Sequence, residues 1–349
     1  MQIISLQNED LTYEKKNEIN LGADLGILDN RINISFDWYT RDNYDLIGPI
    51  NTPGAGGETI KFANVANMKT GGVEFSLSTK NIVSKDFKWS TDFIFGKNKT
   101  EVTKLDMQST IIDLISGSGF AKQGYPNRAL FSIPFAGLDD SGIPTFYNAD
   151  GSKTTAKDAY IDFQSRTNLD YLIYEGPTDP TINGSFGNIF NYKSFKLNVF
   201  ITYSFGNVVR LDPVFSSEYS DLNSMTKDYK NRWMVPGDEY FTNVPTILSK
   251  RQLNENSDLT KAYNAYNYSD VRIADGGFVR LKEISLSYDI PKKSLLKEMS
   301  NLSIKLQATN LALLYADKKL NGQDPEFFQS GGVSTPVPKQ FTLTLRASF

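Results

Sequence analysis

The chain contains neither histidine nor cysteine. This removes Ser-His-Asp catalysis, HExxH zinc sites, zinc-thiolate sites, disulfides and cysteine nucleophiles. The candidates that remain are carboxylates, glycine-rich turns and aromatic rings. Gly54-Ala-Gly-Gly57 and Gly117-Ser-Gly119 are glycine-rich. Both lack the Lys-Ser/Thr of a phosphate loop and the spacing of a dinucleotide turn, so they read as plain loop. Asn148-Ala-Asp150-Gly151 gathers oxygens at a turn, but the twelve-residue calcium loop with its closing Glu is missing. No metal or cofactor is expected. Asp139/Asp140 and Asp238/Glu239 resemble glycosidase pairs only in composition, because adjacent loop residues do not face each other across a sugar. They read as solvated charge, and the chain is not expected to be an enzyme. Lys and Arg total 37 against 40 Asp and Glu, a net charge of −3. That argues against nucleic acid, whose phosphates need a basic surface.

Aromatics make up 13% of the chain, with 18 Tyr, 23 Phe and 3 Trp. One group clusters away from any alternating pattern: Tyr219, Tyr229, Trp233, Tyr240, Tyr263, Tyr266 and Tyr268. These rings can stack on sugars or bury against a partner. The other reading of the same residues is packing of the loops against themselves.

The elements that must carry these loops show period two, which puts one side-chain class on each face of a strand. Ile19 to Ile27 alternate with Asn20, Gly22, Asp24 and Gly26. After Asp29-Asn30, Ile32, Ile34, Phe36 and Trp38 repeat the pattern, as do Val73–Leu77 and Phe87–Phe95. Residues 181–192 and 195–206 flank Lys193-Ser194, and strands follow at 276–290 and 302–308. The chain ends with Phe341, Leu343, Leu345, Ala347 and Phe349 on one face. Nine long strands are expected. Several run to about 10–12 residues, which is long for a soluble sheet and suits the 9–11 that cross a bilayer at a tilt.

Connections near 29, 80, 193 and 290 are short, and those at roughly 42–64, 102–180, 207–275 and 312–337 are long. That alternation is expected of a barrel with short turns on one side of a membrane and long loops on the other. Phe131–Leu138 and Ile143–Tyr147 read as a local hairpin within the second long loop. Trp38, Phe36, Trp89, Tyr203, Tyr288 and Phe349 lie on apolar faces, where an interfacial aromatic girdle is expected. Mean hydropathy is −0.37, and no apolar run is long enough for a membrane helix. The first residues show no signal peptide. Periodicity alone leaves open which way the apolar faces point, so a soluble or surface β-rich carbohydrate-binding module is the competing reading.

Several blocks together carry a resemblance. Leu11-Thr-Tyr-Glu14 followed by Glu18–Gly26 is similar to "L-x-W-E…N-x-G-x-D", and Leu28-Asp-Asn-Arg-Ile32 to "F-N-N-R-L". Val65–Phe75 is similar to "N-V-G-x-M-x-N-x-G-V-E-F", with departures at Thr70 and Gly71. Phe135–Asp139, Ile143–Tyr147 and Gly184-Ser-Phe-Gly187 follow. The most specific block is Val271–Tyr288, closed by Pro291, with Asn310-Leu and Gln323-Asp-Pro-Glu326 after it. In this order the blocks resemble SusC/RagA-type TonB-linked outer-membrane proteins along nearly the whole chain.

The resemblance implies that residues 1–349 are the C-terminal part of a 22-stranded antiparallel transmembrane β-barrel with long extracellular loops. The signal peptide, plug and early strands would lie outside this chain. It implies active import of oligosaccharides or peptides across the outer membrane of a Gram-negative bacterium. The implied partners are a SusD-like lipoprotein lid, TonB acting through the N-terminal part, outer-membrane lipid and the barrel assembly machinery. The last would read Phe341, Leu343, Leu345 and Phe349 as an assembly signal.

Overall fold

The computed structural model describes residues 8–52, 54, 59–107, 109–117, 119, 122–154, 168–214, 225–291, 299–328 and 336–348. Of the residues singled out above, Gly56, Gly57, Ser118, Tyr219 and Phe349 lie outside them. The fold is dominated by one antiparallel sheet of nine strands. The first four are β1 (Lys15–Ile27), β2 (Ile32–Asn51), β3 (Ile60–Val83) and β4 (Phe87–Leu105). Five short strands then lie in the first long connection: β5 (Ala129–Ser132), β6 (Phe135–Leu138), β7 (Pro144–Tyr147), β8 (Lys153–Thr154) and β9 (Ile173–Pro177). The sheet resumes with β10 (Ile182–Tyr192) and β11 (Phe195–Phe205). After β12 (Val208–Arg210) and β13 (Ile273–Asp275) it closes its run with β14 (Phe278–Asp289), β15 (Asn301–Ala316) and β16 (Gln340–Ser348). The nine long strands are those the alternation marks. Among the described residues β1 and β16 pair on one side only.

Register turns the alternation into rows. Leu25, Ile34, Leu77, Phe93, Phe186 and Ile201 sit opposite one another across six strands. Nearer the short turns, Ile82, Trp89, Phe190, Leu197, Leu286, Leu306 and Leu343 form a second apolar row. Beyond it, Phe87, Tyr192, Phe195 and Tyr288 make an aromatic row. The intervening rows are polar, as in Asp24–Ser35–Ser76 and Ser285–Gln307–Thr342.

Two glycines of the motif blocks have a visible purpose. Gly72 lies opposite Tyr39 and Gly184 opposite Tyr203. A Cβ at either would run into that tyrosine ring. The Tyr203 hydroxyl, crossing Gly184, donates to the Ile94 carbonyl at 2.9 Å. Ring over glycine is a known way to steady a weak strand position.

One expected loop is mostly strand. Residues 42–51 and 60–64 continue the ladder, leaving only 52–59 between β2 and β3. A bulge at Asp45, with φ 56°, interrupts the alternation and hid the extension. Asn64 secures it, donating to the Asp45 carbonyl at 2.5 Å. The first short connection is likewise wider than Asp29-Asn30: Leu28, Asp29 and Asn30 all adopt positive φ.

The other long connections are built rather than loose. The hairpin within 106–181 is β6–β7, extended by β8, while Phe131 and Ser132 pair instead with β9. Asp139 makes its turn, accepting from the amides of Ser141 and Ile143 at 2.9 Å. Connection 206–277 carries α2 (Lys250–Glu255) and α3 (Asp258–Asn267), and α1 (Ile111–Ser116) lies in the earlier one. These two connections share a hydrophobic core of Ile111, Leu114, Phe131, Phe146, Leu259 and neighbours. Among the described residues, no helix is long and apolar enough to cross a membrane.

Candidate functional site: the loop body and the apolar face

Exposure bears on the orientation of the apolar face, which periodicity leaves open. Leu286 is 45% exposed and its neighbour Ser285 4%; Phe186 is 40% exposed and Ser185 8%. On β10 and β14 the apolar side is the more open one at these positions, whereas both sides of β1 and β16 are open and Ile94, on the polar side of β4, is 52% exposed. A soluble sandwich would show the reverse, because burial of apolar area is what holds it together.

The loop body rests on this sheet through the block Val271–Tyr288. Arg272 is 4% exposed. It donates to Asp228 at 2.6 Å and to the Asp212 carbonyl at 2.7 Å. Arg280 donates to both oxygens of Asp324 at 2.5 and 2.6 Å and pairs with Glu326 at 3.1 Å. Thus Val271–Tyr288 and Gln323-Asp-Pro-Glu326, separate blocks in the sequence, are one ion-paired unit in space. The Lys319 ammonium adds a bond to the Ile273 carbonyl at 2.9 Å, and Leu320 packs with Val209, Leu211 and Ala274.

Arg210 joins the two long connections. Its guanidinium donates to the carbonyls of Phe131 at 2.7 Å, and of Ser269 and Ile115 at 3.3 Å. Burial pushes it down to about 10, with Glu175 working in the opposite direction. Burial raises Glu175 above the ordinary carboxylate range; Asp270 adds to this, while Ser132, Arg210 and Lys319 oppose it. These charged groups tie backbone together. Among the described residues, no group of three or more Asp or Glu converges as a metal site would.

The loop aromatics separate. Tyr229, Tyr263 and Tyr266 are buried in the core, at 5%, 0% and 1% exposure, so they are removed from any contact surface. Leu259, Ala262, Tyr263 and Tyr266 lie along one side of α3, and this spacing could have revealed a helix. Burial pushes the Tyr266 phenol up to about 12. Tyr268 packs against the same core. Trp233 is half-buried, its indole donating to Glu239 at 2.9 Å. Tyr240 stands out at 83% exposure, beside Phe241 at 90%, a ring the sequence reading passed over. Phe341, Leu343 and Leu345 lie on β16 with their apolar side chains exposed.

No family model matches the chain. TonB-dependent receptor P3 of Formosa agariphila is 29% identical over 332 residues, covering 91% of this chain and 31% of the relative. TonB-dependent receptor SusC of Bacteroides thetaiotaomicron is 24% identical over 348 residues, covering 98% of this chain and 32% of the relative. Among solved structures, the RagAB peptide transporter superposes with a TM-score of 0.74 at 25% identity, covering 100% of this chain and 37% of that one. The same importer in its "open-open" state gives 0.73. The chain spans about a third of the length of these proteins. Along nearly its whole length, the chain is similar to TonB-dependent receptors of the SusC/RagA type.

Proposed function

We propose that this chain forms wall and extracellular loops of an outer-membrane TonB-dependent importer, as the C-terminal part of a 22-stranded barrel. The observation that carries this reading is the exposed apolar face of a nine-stranded sheet. Its dimensions agree. On β11 aromatic residues stand at both ends, Phe195 beside Tyr288 and Phe205 beside Tyr315. Ten residue steps at about 3.3 Å span roughly 33 Å. At a tilt near 40–45° that is about 23–25 Å of height, close to the apolar band of a membrane barrel. Among the described residues β1 and β16 pair on one side only, and in this reading each edge needs a further strand, because an edge in hydrocarbon leaves backbone groups without partners.

In this reading the polar rows line a water-filled interior, the short turns face the periplasm, and the loop body faces outward. The chain performs no bond chemistry. Its wall supplies the path, TonB acts through the N-terminal part, and a SusD-like lipoprotein caps the outside. The cargo is an oligosaccharide or a peptide. With three of the candidate tyrosines buried, the case for sugar stacking narrows, among the described residues, to Tyr240 and the half-buried rings. Barrel assembly machinery would read β16 and Phe349, and outer-membrane lipid would cover the apolar rows. The test is made on the full-length protein in an outer-membrane fraction. Expected are extraction only with detergent, heat-modifiable mobility, and loss of cargo uptake on its deletion. Recovery as a detergent-independent soluble monomer would refute the reading and restore the carbohydrate-module alternative.

A further inference from the structure

We infer that the short-turn end of β4 and β10 holds one glycerophospholipid, its phosphate at Lys193 and its ester carbonyls at the Asn188 amide. The inference rests on the importer reading and goes beyond it, because lipid that merely covers an apolar wall needs no polar contact. Register places Thr79, Thr91 and Asn188 in one row on the apolar side, between the rows of Phe93 and Trp89. Asn81 sits beside it in the bulge of β3. No charged residue belongs to this group.

The polar atoms form one chain with a direction. The Thr79 hydroxyl donates to Asn81 at 2.8 Å, and the Asn81 amide donates to the Thr91 hydroxyl at 2.7 Å. The Thr91 hydroxyl and the Trp89 indole both donate to the Asn188 side-chain oxygen, at 2.8 and 2.9 Å. Trp89 is held in place by stacking on Phe190, with ring centroids 5.7 Å apart. An indole can only donate, so the atom it meets on Asn188 is the oxygen and the amide nitrogen is turned away. That nitrogen has no partner among the described residues. Asn188 lies four residues from Tyr192 on β10. Four steps are about 13 Å along the strand, or roughly 9–10 Å of height at the tilt of a membrane barrel. An unpaired donor at that depth in hydrocarbon is costly.

Chemistry selects the occupant. The surplus is of donors, so the ligand supplies acceptors, as ester carbonyls do. The other end of the same column is cationic. The Lys193 ammonium folds back over the Tyr192 ring, 5.4 Å from its centroid, which holds the charge at the aromatic row. The Lys193 amide donates to the Asp86 carbonyl at 2.8 Å and keeps this turn beside β4. Lys85 and Asp86 at the neighbouring turn offset each other. Cation, aromatic rings and outward donors thus follow in the order of phosphate, glycerol and esters in a phospholipid. Drawing the esters inward of the aromatic row thins the leaflet locally. β1 lies three strands from β4, and β16 four strands from β10. Strands added at either edge therefore leave this column uncovered, and a plug inside the barrel lies on the opposite side of the sheet.

The experiment is native mass spectrometry of the full-length importer in detergent with added diacyl phosphatidylglycerol or its diether analogue. The analogue keeps the phosphate and lacks the ester carbonyls. Expected is retention of the diacyl lipid several-fold above the diether lipid by the wild type, a comparison that needs no variant to fold. Trp89→Phe/Asn188→Leu should abolish the preference, and Lys193→Gln should weaken retention of both lipids alike. Leu306→Ala, on the apolar side of β15, should leave both unchanged. Equal retention of the two lipids by the wild type overturns the site, as does a preference that survives Trp89→Phe/Asn188→Leu. Retention unaltered by Lys193→Gln overturns the phosphate contact. Equal retention together with a dimer that Trp89→Phe/Asn188→Leu splits shows that a second copy covers the column, and overturns the lipid. Recovery of the full-length protein without detergent overturns the importer reading instead.

Discussion

Replacing Arg280 by Met should detach the segment 317–328 from the sheet while leaving the sheet intact. Arg280 and Asp324 have side chains only 7% and 9% exposed, joined by two bonds of 2.5 and 2.6 Å. Removing one member of such a pair leaves the other carboxylate buried and unpaired, at a cost of about 3–5 kcal/mol. The Glu326 amide still donates to Asp324 at 3.1 Å, which places the expected value toward about 3 kcal/mol. The cost falls on local opening rather than global unfolding, because loops open as separate units. At about 1.4 kcal/mol per tenfold, the amides of Leu320, Asn321 and Gln323 should exchange about a hundredfold faster. Hydrogen exchange on the full-length protein in detergent reads this directly. The double variant Arg280→Met/Asp324→Leu should recover most of the protection, since a buried pair replaced by apolar groups is near neutral. Glu326→Gln should change little, because that carboxylate is 40% exposed and exposed pairs contribute about 0–1 kcal/mol. Unchanged exchange in Arg280→Met, or a double variant worse than the single, would refute the clamp.

Leu286→Arg places a charge on the apolar side one row inside the aromatic row and, if that side faces lipid as proposed, should destabilise the barrel by about 2 kcal/mol, whereas Ser287→Arg should cost little; urea titration of folded barrel in bilayers compares them. Glu175→Gln should flatten a pH dependence of the loop body. Burial raises the folded carboxyl above its unfolded value, so the stability it contributes is complete below the ordinary carboxylate range and is lost as pH rises through the raised value. Limited proteolysis from about pH 4 to pH 8 should show wild type growing more sensitive and Glu175→Gln unchanged. Deleting Phe349 should lower the amount of heat-modifiable protein in the outer membrane, with the remainder degraded in the periplasm; normal levels would end its role as an assembly signal.

The nine-stranded sheet was legible because one side of each strand is apolar and the other polar, which writes period two into Ile19–Ile27, Phe195–Phe205 and Phe341–Leu345. Where the ladder continues past the apolar band, at 42–51 and 60–64, both sides lose that contrast and the pattern fades. The loop body was not legible for different reasons. Arg272 and Arg280 each find a carboxylate 44 residues away, a distance no local spacing records. Tyr263 and Tyr266 sit at helical spacing in α3, but Lys261 before them and Asn264 between them made the segment resemble polar loop. The loop aromatics were half visible: Tyr240 was singled out, but only the fold shows that it and Phe241 are exposed while Tyr229, Tyr263 and Tyr266 are buried.

The central claim is that the apolar rows face lipid. Nitroxide labels on single cysteines at Leu286 and Ser287, in the full-length protein reconstituted in bilayers, test it most directly. The apolar side should give a label at Leu286 open to dissolved oxygen and shielded from a water-soluble nickel chelate. A label at Ser287 should show the opposite preference. Equal accessibility at the two positions, or the reverse pattern, would contradict the membrane-wall account.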